Sequence, residues 1–305
     1  MAMKKTILAV ALLAAAQMVA YAQVDVISVN KLPLKEGAEL FHPVFSPKGD
    51  FLLLTSINFQ GLVKYDLKTN ETTKLTDAVN AGYQPQISDG GKVVVFRDVE
   101  YKNNRRYTSI KSLDIEKQKV STVDKLSRDM HAFGFMGGTV KVASKDRIIS
   151  KRLATDVRTV NTSYLVNIED QSLVLYKDNV RKVLNPNGNC SYIWPSISPD
   201  QKHIVYTALD DGCTTCVCDI DGKNVVKLGY IGAPVWMGNN WIVGMEDKDD
   251  GHQTISSKLK AAKIDGSYSQ YIPTSNEIVM YPAATEKSIA YVADGAVYLM
   301  EINIR

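Results

Sequence analysis

Three of the four cysteines sit in one short stretch, Cys213-Thr214-Thr215-Cys216-Val217-Cys218, with Cys190 as the fourth. Thiolates at such spacing suit a tetrahedral metal site. A chain exported to an oxidising compartment pairs its thiols instead. Cys216 and Cys218, two apart on a strand, point to one side and are poorly placed to join each other. The pair with the better geometry is Cys190 with Cys213, each in a loop beside a strand. Three readings therefore stand, with a Cys190 to Cys213 disulfide preferred over free buried thiols and over a metal centre.

The densest acidic run is Glu246-Asp247-Lys248-Asp249-Asp250-Gly251-His252. A twelve-residue calcium loop also needs a closing Glu, and Gln253 to Leu259 holds none. The run is read as a solvated loop, and no metal or cofactor is assigned. For nucleophilic catalysis there is no Gly-x-Ser-x-Gly elbow. His203 begins an apolar strand and His252 lies in the acidic loop, neither with a nucleophile close in sequence, so no catalytic residue is assigned.

His42 and His131 are different, because they occupy one position of a repeat. The pattern is an aromatic or polar residue, then Pro or a small residue, then a tight turn and an apolar strand. It reads His42-Pro43-Val44-Phe45-Ser46-Pro47 before Phe51 to Leu54, Gln84-Pro85-Gln86-Ile87-Ser88-Asp89 before Val93 to Phe96, and Trp194-Pro195-Ser196-Ile197-Ser198-Pro199 before Ile204 to Tyr206. Weaker copies begin at His131, Ala233 and Tyr281. Anchored on residues 43, 85, 132, 195, 234 and 282, the spacings are 42, 47, 63, 39 and 48. All but the 63 suit a four-stranded propeller blade. The prediction is an all-β fold, a six-bladed propeller of antiparallel blades over residues 23–305.

In such a ring the repeat position lies where each inner strand begins. His42, Gln84, His131, Trp194 and Tyr281 are thereby expected around the mouth of the central channel, as a binding site for a small polar ligand or an inserted side chain of a protein partner. The alternative is that they pack between blades.

Within each repeat, apolar alternation of period two runs for four to six residues between Gly, Asn, Asp or Pro. Leu62 to Asp66 and Thr72 to Leu75 follow the Phe51 strand; Thr215 to Asp219 and Val225 to Leu228 follow the Ile204 strand. Asp221-Gly222 and Asp265-Gly266 read as two-residue hairpin turns. The last repeat stops one strand short at Arg305, and Val24 to Val29 is an alternating strand with no blade of its own. Pairing the two closes the ring and covers a sheet edge. The 63-residue repeat carries three further strand candidates, Tyr164 to Ile168, Leu173 to Tyr176 and Val180 to Val183. It is read as a blade with an inserted hairpin, or with a long loop near Arg147 to Thr162.

Residues 1–22 are read as a signal peptide, with Lys4 and Lys5 before the apolar run Ile7 to Ala16 and Ala20-Tyr21-Ala22 at the cleavage site. That run is too short to span a bilayer. Removing the leader lowers the formal charge from +3 to +1. With no sustained basic stripe, nucleic acid is not expected as a partner. Arg105-Arg106-Tyr107 reads as one isolated solvated cluster.

Ser198-Pro199-Asp200-Gln201-Lys202, Cys218-Asp219-Ile220-Asp221-Gly222 and Ser46-Pro47-Lys48-Gly49-Asp50 resemble the blade repeats of TolB-like six-bladed propellers, over nearly the whole chain after the leader. The matched residues are turn formers and core residues, so the resemblance implies a fold more than an activity. TolB carries an additional α/β domain ahead of its propeller. Only about twenty residues separate the leader from the first blade here, well under domain size, so no role in binding Pal or in translocation is carried over. The hydrolase domain that follows the propeller in prolyl-oligopeptidase-like peptidases is likewise not expected. The functional expectation is a monomeric binding or interaction scaffold, exported to the periplasm with an extracellular location as the alternative, without stable membrane insertion. The alternative is a carbohydrate- or peptide-acting hydrolase or lyase with its site at the channel mouth.

Overall fold

A computed structural model describes residues 23–305 except 36, 145–146, 155–163, 179 and 211, and excepting the side chains of Met130 and His131. The expected leader lies outside the described residues. Among the described residues, twenty-six strands form seven antiparallel sheets. In chain order β1 is Val24–Lys31, and blade 1 contains β2 (Phe41–Phe45), β3 (Phe51–Thr55), β4 (Leu62–Asp66) and β5 (Thr72–Thr76). Blade 2 contains β6 (Gln86–Ile87), β7 (Val93–Lys102), β8 (Arg105–Asp114) and β9 (Lys119–Ser127). Blade 3 is β10 (Met130–Met136), β11 (Thr139–Ser144) and β12 (Arg147–Arg152); blade 4 is β13 (Tyr164–Glu169), β14 (Ser172–Lys177) and β15 (Val180–Val183). Blade 5 has β16 (Ser191–Ile197), β17 (His203–Leu209), β18 (Thr214–Asp219) and β19 (Val226–Gly229). Blade 6 has β20 (Gly232–Met237), β21 (Trp241–Asp249), β22 (Thr254–Lys263) and β23 (Ser269–Ile272), and blade 7 has β24 (Met280–Ala284), β25 (Ser288–Ala293) and β26 (Ala296–Ile304).

Seven blades replace the six expected. The long third repeat is two three-stranded blades, and the three strand candidates from Tyr164 to Val183 are β13 to β15. Blade 4 escaped the count because its innermost strand runs the other way. β13 ends where the other inner strands begin: just past it, Gln171 accepts a hydrogen bond from Tyr192 N (3.1 Å), and its side chain meets Ser191 Oγ (2.6 Å), both at the start of β16. A reversed strand has no place for the residue-plus-proline anchor.

Closure is as expected. β1 pairs antiparallel with β26 from Val24↔Ile304 to Lys31↔Tyr298, making β1 the outer strand of blade 7.

The buried apolar residues fall into seven clusters, each astride one junction between neighbouring blades. Strand alternation explains this. Leu52 and Leu54 face blade 7 while Phe51 and Leu53 face blade 2; Val94 and Phe96 turn back to blade 1 while Val93 and Val95 meet blade 3. The second strand of a blade is therefore buried on both faces and reads as an unbroken apolar run. Each fully buried leucine contributes about 2 kcal/mol.

The turn residues that carry the resemblance have structural work. The hydroxyls of Ser46, Ser88 and Ser198, all buried, accept backbone N–H bonds from Phe51 (3.3 Å), Val93 (3.1 Å) and His203 (3.0 Å). At Asp221-Gly222 and Asp265-Gly266 only the glycine is left-handed, so these are not the two-residue turns expected. Two-residue turns with both residues left-handed occur instead at Asn103-Asn104 and Asp170-Gln171, among others.

Candidate functional site

The five residues before proline at the repeat position share one backbone conformation. His42, Gln84, Trp194, Ala233 and Tyr281 have φ of 49°, 51°, 51°, 47° and 54°, a left-handed region that non-glycine residues seldom adopt. In four of them the register shows the cause. β2 opposes Phe41 to Thr55 but Val44 to Leu53, so one extra residue is accommodated at His42-Pro43; β16, β20 and β24 shift in the same way. These are β-bulges, which bend a strand and re-aim its side chains. β10 has its own register shift at His131, between Met130↔Ser144 and Ala132↔Ala143. The His131 side chain lies outside the described residues.

The expected ring is assembled only in part. His42 and Tyr281, from blades 1 and 7, are in contact with ring centroids 4.0 Å apart. His42 also stacks on Phe59 at 4.2 Å, and Phe59 meets Tyr83 edge-on at 5.3 Å. Burial pushes the His42 imidazole below its ordinary pKa, partly offset by its hydrogen bond to the Ile57 carbonyl (3.3 Å), so the ring is neutral at pH 7. Trp194 is 40% exposed and makes no ring contact with the other four among the described residues. Gln84 belongs to a cavity instead.

That cavity, of about 630 Å³, is lined by Tyr83, Gln84, Arg97, Asn104, Arg105, Arg106, Thr108, Arg128, Asn167 and Ile168. It lies on the face where inner strands begin, and the long β7–β8 hairpin builds one wall. The pairings Arg97↔Ile110, Val99↔Thr108 and Tyr101↔Arg106 put Arg97, Thr108 and Arg106 on one side of that hairpin. Arg97 is the buried member. Its guanidinium lies over the Tyr83 ring (5.1 Å) and the Phe133 ring (4.6 Å), and Nη1 donates to the Tyr83 carbonyl (2.9 Å). Burial first, with repulsion from Arg106, lowers its pKa to about 10, which leaves it charged at neutral pH.

Backbone contacts hold Tyr83 in place. Gly82 N donates to Phe59 O (3.0 Å), and Val99 N to Val79 O (3.0 Å), which ties the Val79 to Tyr83 segment to the base of the hairpin. Sequence reasoning missed Arg97, Arg128, Tyr83 and Asn167, and took Arg105 and Arg106 for a solvated loop. The available signal was hairpin length: β7 and β8 have ten residues each, against five in β3 and β4.

The Cys190 to Cys213 disulfide is not formed; all four cysteines are free. Cys190 precedes β16 and Cys213 precedes β18, with β17 between those strands. Two strand spacings, about 9.5 Å, exceed the reach of a disulfide. Cys216 and Cys218 pack in the core between blades 4 and 5, where burial raises both thiol pKa values, that of Cys218 to about 12. Among the described residues no three His, Cys, Asp or Glu side chains form a group that could hold a metal ion. Nor is any helix there long and apolar enough to cross a membrane.

The fold and the mouth define a β-propeller, and the comparisons agree with that class. No family model and no curated protein sequence matches the chain. Among solved structures it is similar to TolB from Acinetobacter baumannii, with 15% identity and a TM-score of 0.56, covering 81% of this chain and 57% of that one. It thus spans little more than half the length of that protein. It is also similar to an oligogalacturonate lyase in complex with manganese (14% identity, TM-score 0.50, covering 86% and 76%) and to a chain of the mitotic checkpoint complex (11%, 0.58, 99% and 100%). Likeness at such identity shows the propeller fold alone.

Proposed function

We propose that this chain is an exported propeller, its leader 1–22 removed and residues 23–305 forming the one domain, that acts in the periplasm as a monomeric binding or interaction module. Its ligand or protein partner docks at the channel mouth, against His42, Gln84, His131, Trp194 and Tyr281. The observation that carries this reading is the left-handed residue before proline in five blades. The bulge is common architecture, but the side chain it presents changes from His to Gln, Trp, Ala and Tyr, so variety is concentrated at the mouth. Strained backbone and bulges cluster at functional sites.

The enzymatic reading, a hydrolase or lyase acting on carbohydrate or peptide, calls for a positioned general acid or base. The described lining of the cavity has no carboxylate, imidazole or thiol, so for this reading the acid or base would have to be His42 or His131 at the mouth or the Tyr83 phenol.

The test is a Trp194→Ala/Tyr281→Ala variant, compared with the parent in affinity capture from periplasmic extract and in thermal unfolding. Loss of a specific partner with a nearly unchanged midpoint is expected. A large fall in the midpoint without a binding defect would reassign both residues to packing between blades.

A further inference from the structure

We propose that the arginine-lined cavity binds an oxyanion carrying two or more negative charges, a phosphate group or a polycarboxylate, through Arg97, Arg105, Arg106 and Arg128. The inference deepens the reading of the mouth as the binding site and rests on it. Four guanidiniums from separate stretches of chain meet around one volume: Arg97 on β7, Arg105 and Arg106 at the hairpin tip, and Arg128 ahead of β10. The rest of the described lining is neutral. Among the described residues none of the four arginines is ion-paired, whereas Arg147, Arg181 and Arg305 each have a carboxylate within 2.8 Å.

Arg97 is the decisive member. Arg97 is only 8% exposed and has no counter-ion among the described residues, and a buried charge so placed is costly unless it is met by a ligand. Its Nη1 is occupied by the Tyr83 carbonyl, and two flanking rings fix its plane, so the fork is pre-organised before any ligand arrives. Arg106, on the same side of the hairpin, repels it. An anion placed between them relieves that repulsion, and a single carboxylate would offset only one of four charges. Arginine forks match both phosphate and carboxylate in bidentate geometry. Asn104, Gln84 and Thr108 supply further polar groups at the rim, and Tyr83 offers an aromatic face to the body of a larger ligand.

Calorimetric titration of the protein with inorganic pyrophosphate, citrate and acetate tests this. Pyrophosphate or citrate should bind at least about tenfold more tightly than acetate and weaken as salt is raised. The preferred anion distinguishes phosphate from carboxylate. Arg106→Gln and Arg128→Gln change exposed side chains that leave the core intact, and each should weaken binding about tenfold, the worth of one charge-assisted hydrogen bond. Equal, weak binding of all three anions, or affinity indifferent to Arg106→Gln, would overturn the proposal. If the anions fail while Trp194→Ala/Tyr281→Ala still abolishes partner capture, the inference falls and the mouth reading survives. If neither experiment responds, both fall.

Discussion

Ring closure depends on β1, and Val24 is the residue through which that dependence is best measured. Its side chain is 2% exposed in the core between blades 6 and 7, beside Ile289, Met300 and Ile302. Its backbone is clamped to blade 6, with Val24 N donating to Gln270 Oε1 (3.0 Å) and Gln270 Nε2 donating to Val24 O (2.8 Å). Val24→Ala removes two methyl-sized groups, about 1.6 kcal/mol by transfer. The cavity left behind raises the cost to about 2–3 kcal/mol. At roughly 2 °C per kcal/mol for a chain of this size, the melting midpoint should fall by about 5 °C. Ile27 is the internal control, because it sits in the register shift of β1 and is 64% exposed; Ile27→Ala should change the midpoint by less than about 1 °C. Removing the whole of β1 should cost far more, since it bares the edge of β26 and invites association. Differential scanning fluorimetry with size-exclusion chromatography reads both effects. Equal shifts for the two alanine variants, or an unchanged midpoint after deletion of β1, would refute closure as a source of stability.

The thiols should divide by exposure: Cys213 reacts with Ellman's reagent in the native protein, Cys216 and Cys218 only after unfolding, and non-reducing peptide mapping that found Cys190 linked to Cys213 would contradict the strand order. Gly82→Ala should destabilise by about 1–3 kcal/mol, because the new methyl would collide with the Thr55 side chain; denaturant titration checks this, and a neutral result would mean that Thr55 moves freely. His42 has a folded-state pKa below its unfolded value, so the unfolded chain binds the extra proton first. Its contribution is fully present above about pH 6.5 and is lost as the pH falls through that value toward the folded-state pKa. Stability measured at pH 7 and pH 5 should therefore drop less in His42→Gln than in the parent, and parallel drops would remove His42 as the cause.

Local chemistry determined much of this protein in the sequence itself. The short unbroken apolar runs Phe51 to Leu54, Val93 to Phe96 and Ile204 to Tyr206, the serine-capped turns after three of the anchors, and the unpaired strand at Val24 to Val29 sufficed for a closed propeller, because strand and turn preferences act over a few residues. The same local reading found β13 to β15 as strands but not as a blade, since nothing within Tyr164 to Val183 signals that the innermost strand has reversed. The mouth was half legible. A shared repeat position marked His42, Gln84 and Tyr281, yet whether those side chains touch depends on how blades 7, 1 and 2 lean together. The arginines were invisible as a site. Arg97 is one of four charged residues in β7, with Asp98, Glu100 and Lys102; Arg105 and Arg106 look like any polar hairpin tip, and Arg128 lies more than twenty residues further on. Pairing of β7 with β8 sets Arg97 and Arg106 on one side of blade 2, but only the packing of blades 3 and 4 beside it, with Phe133, Asn167 and Ile168, makes that side the wall of a cavity, because side-chain charge along a single strand carries no record of what the neighbouring blade will place opposite it.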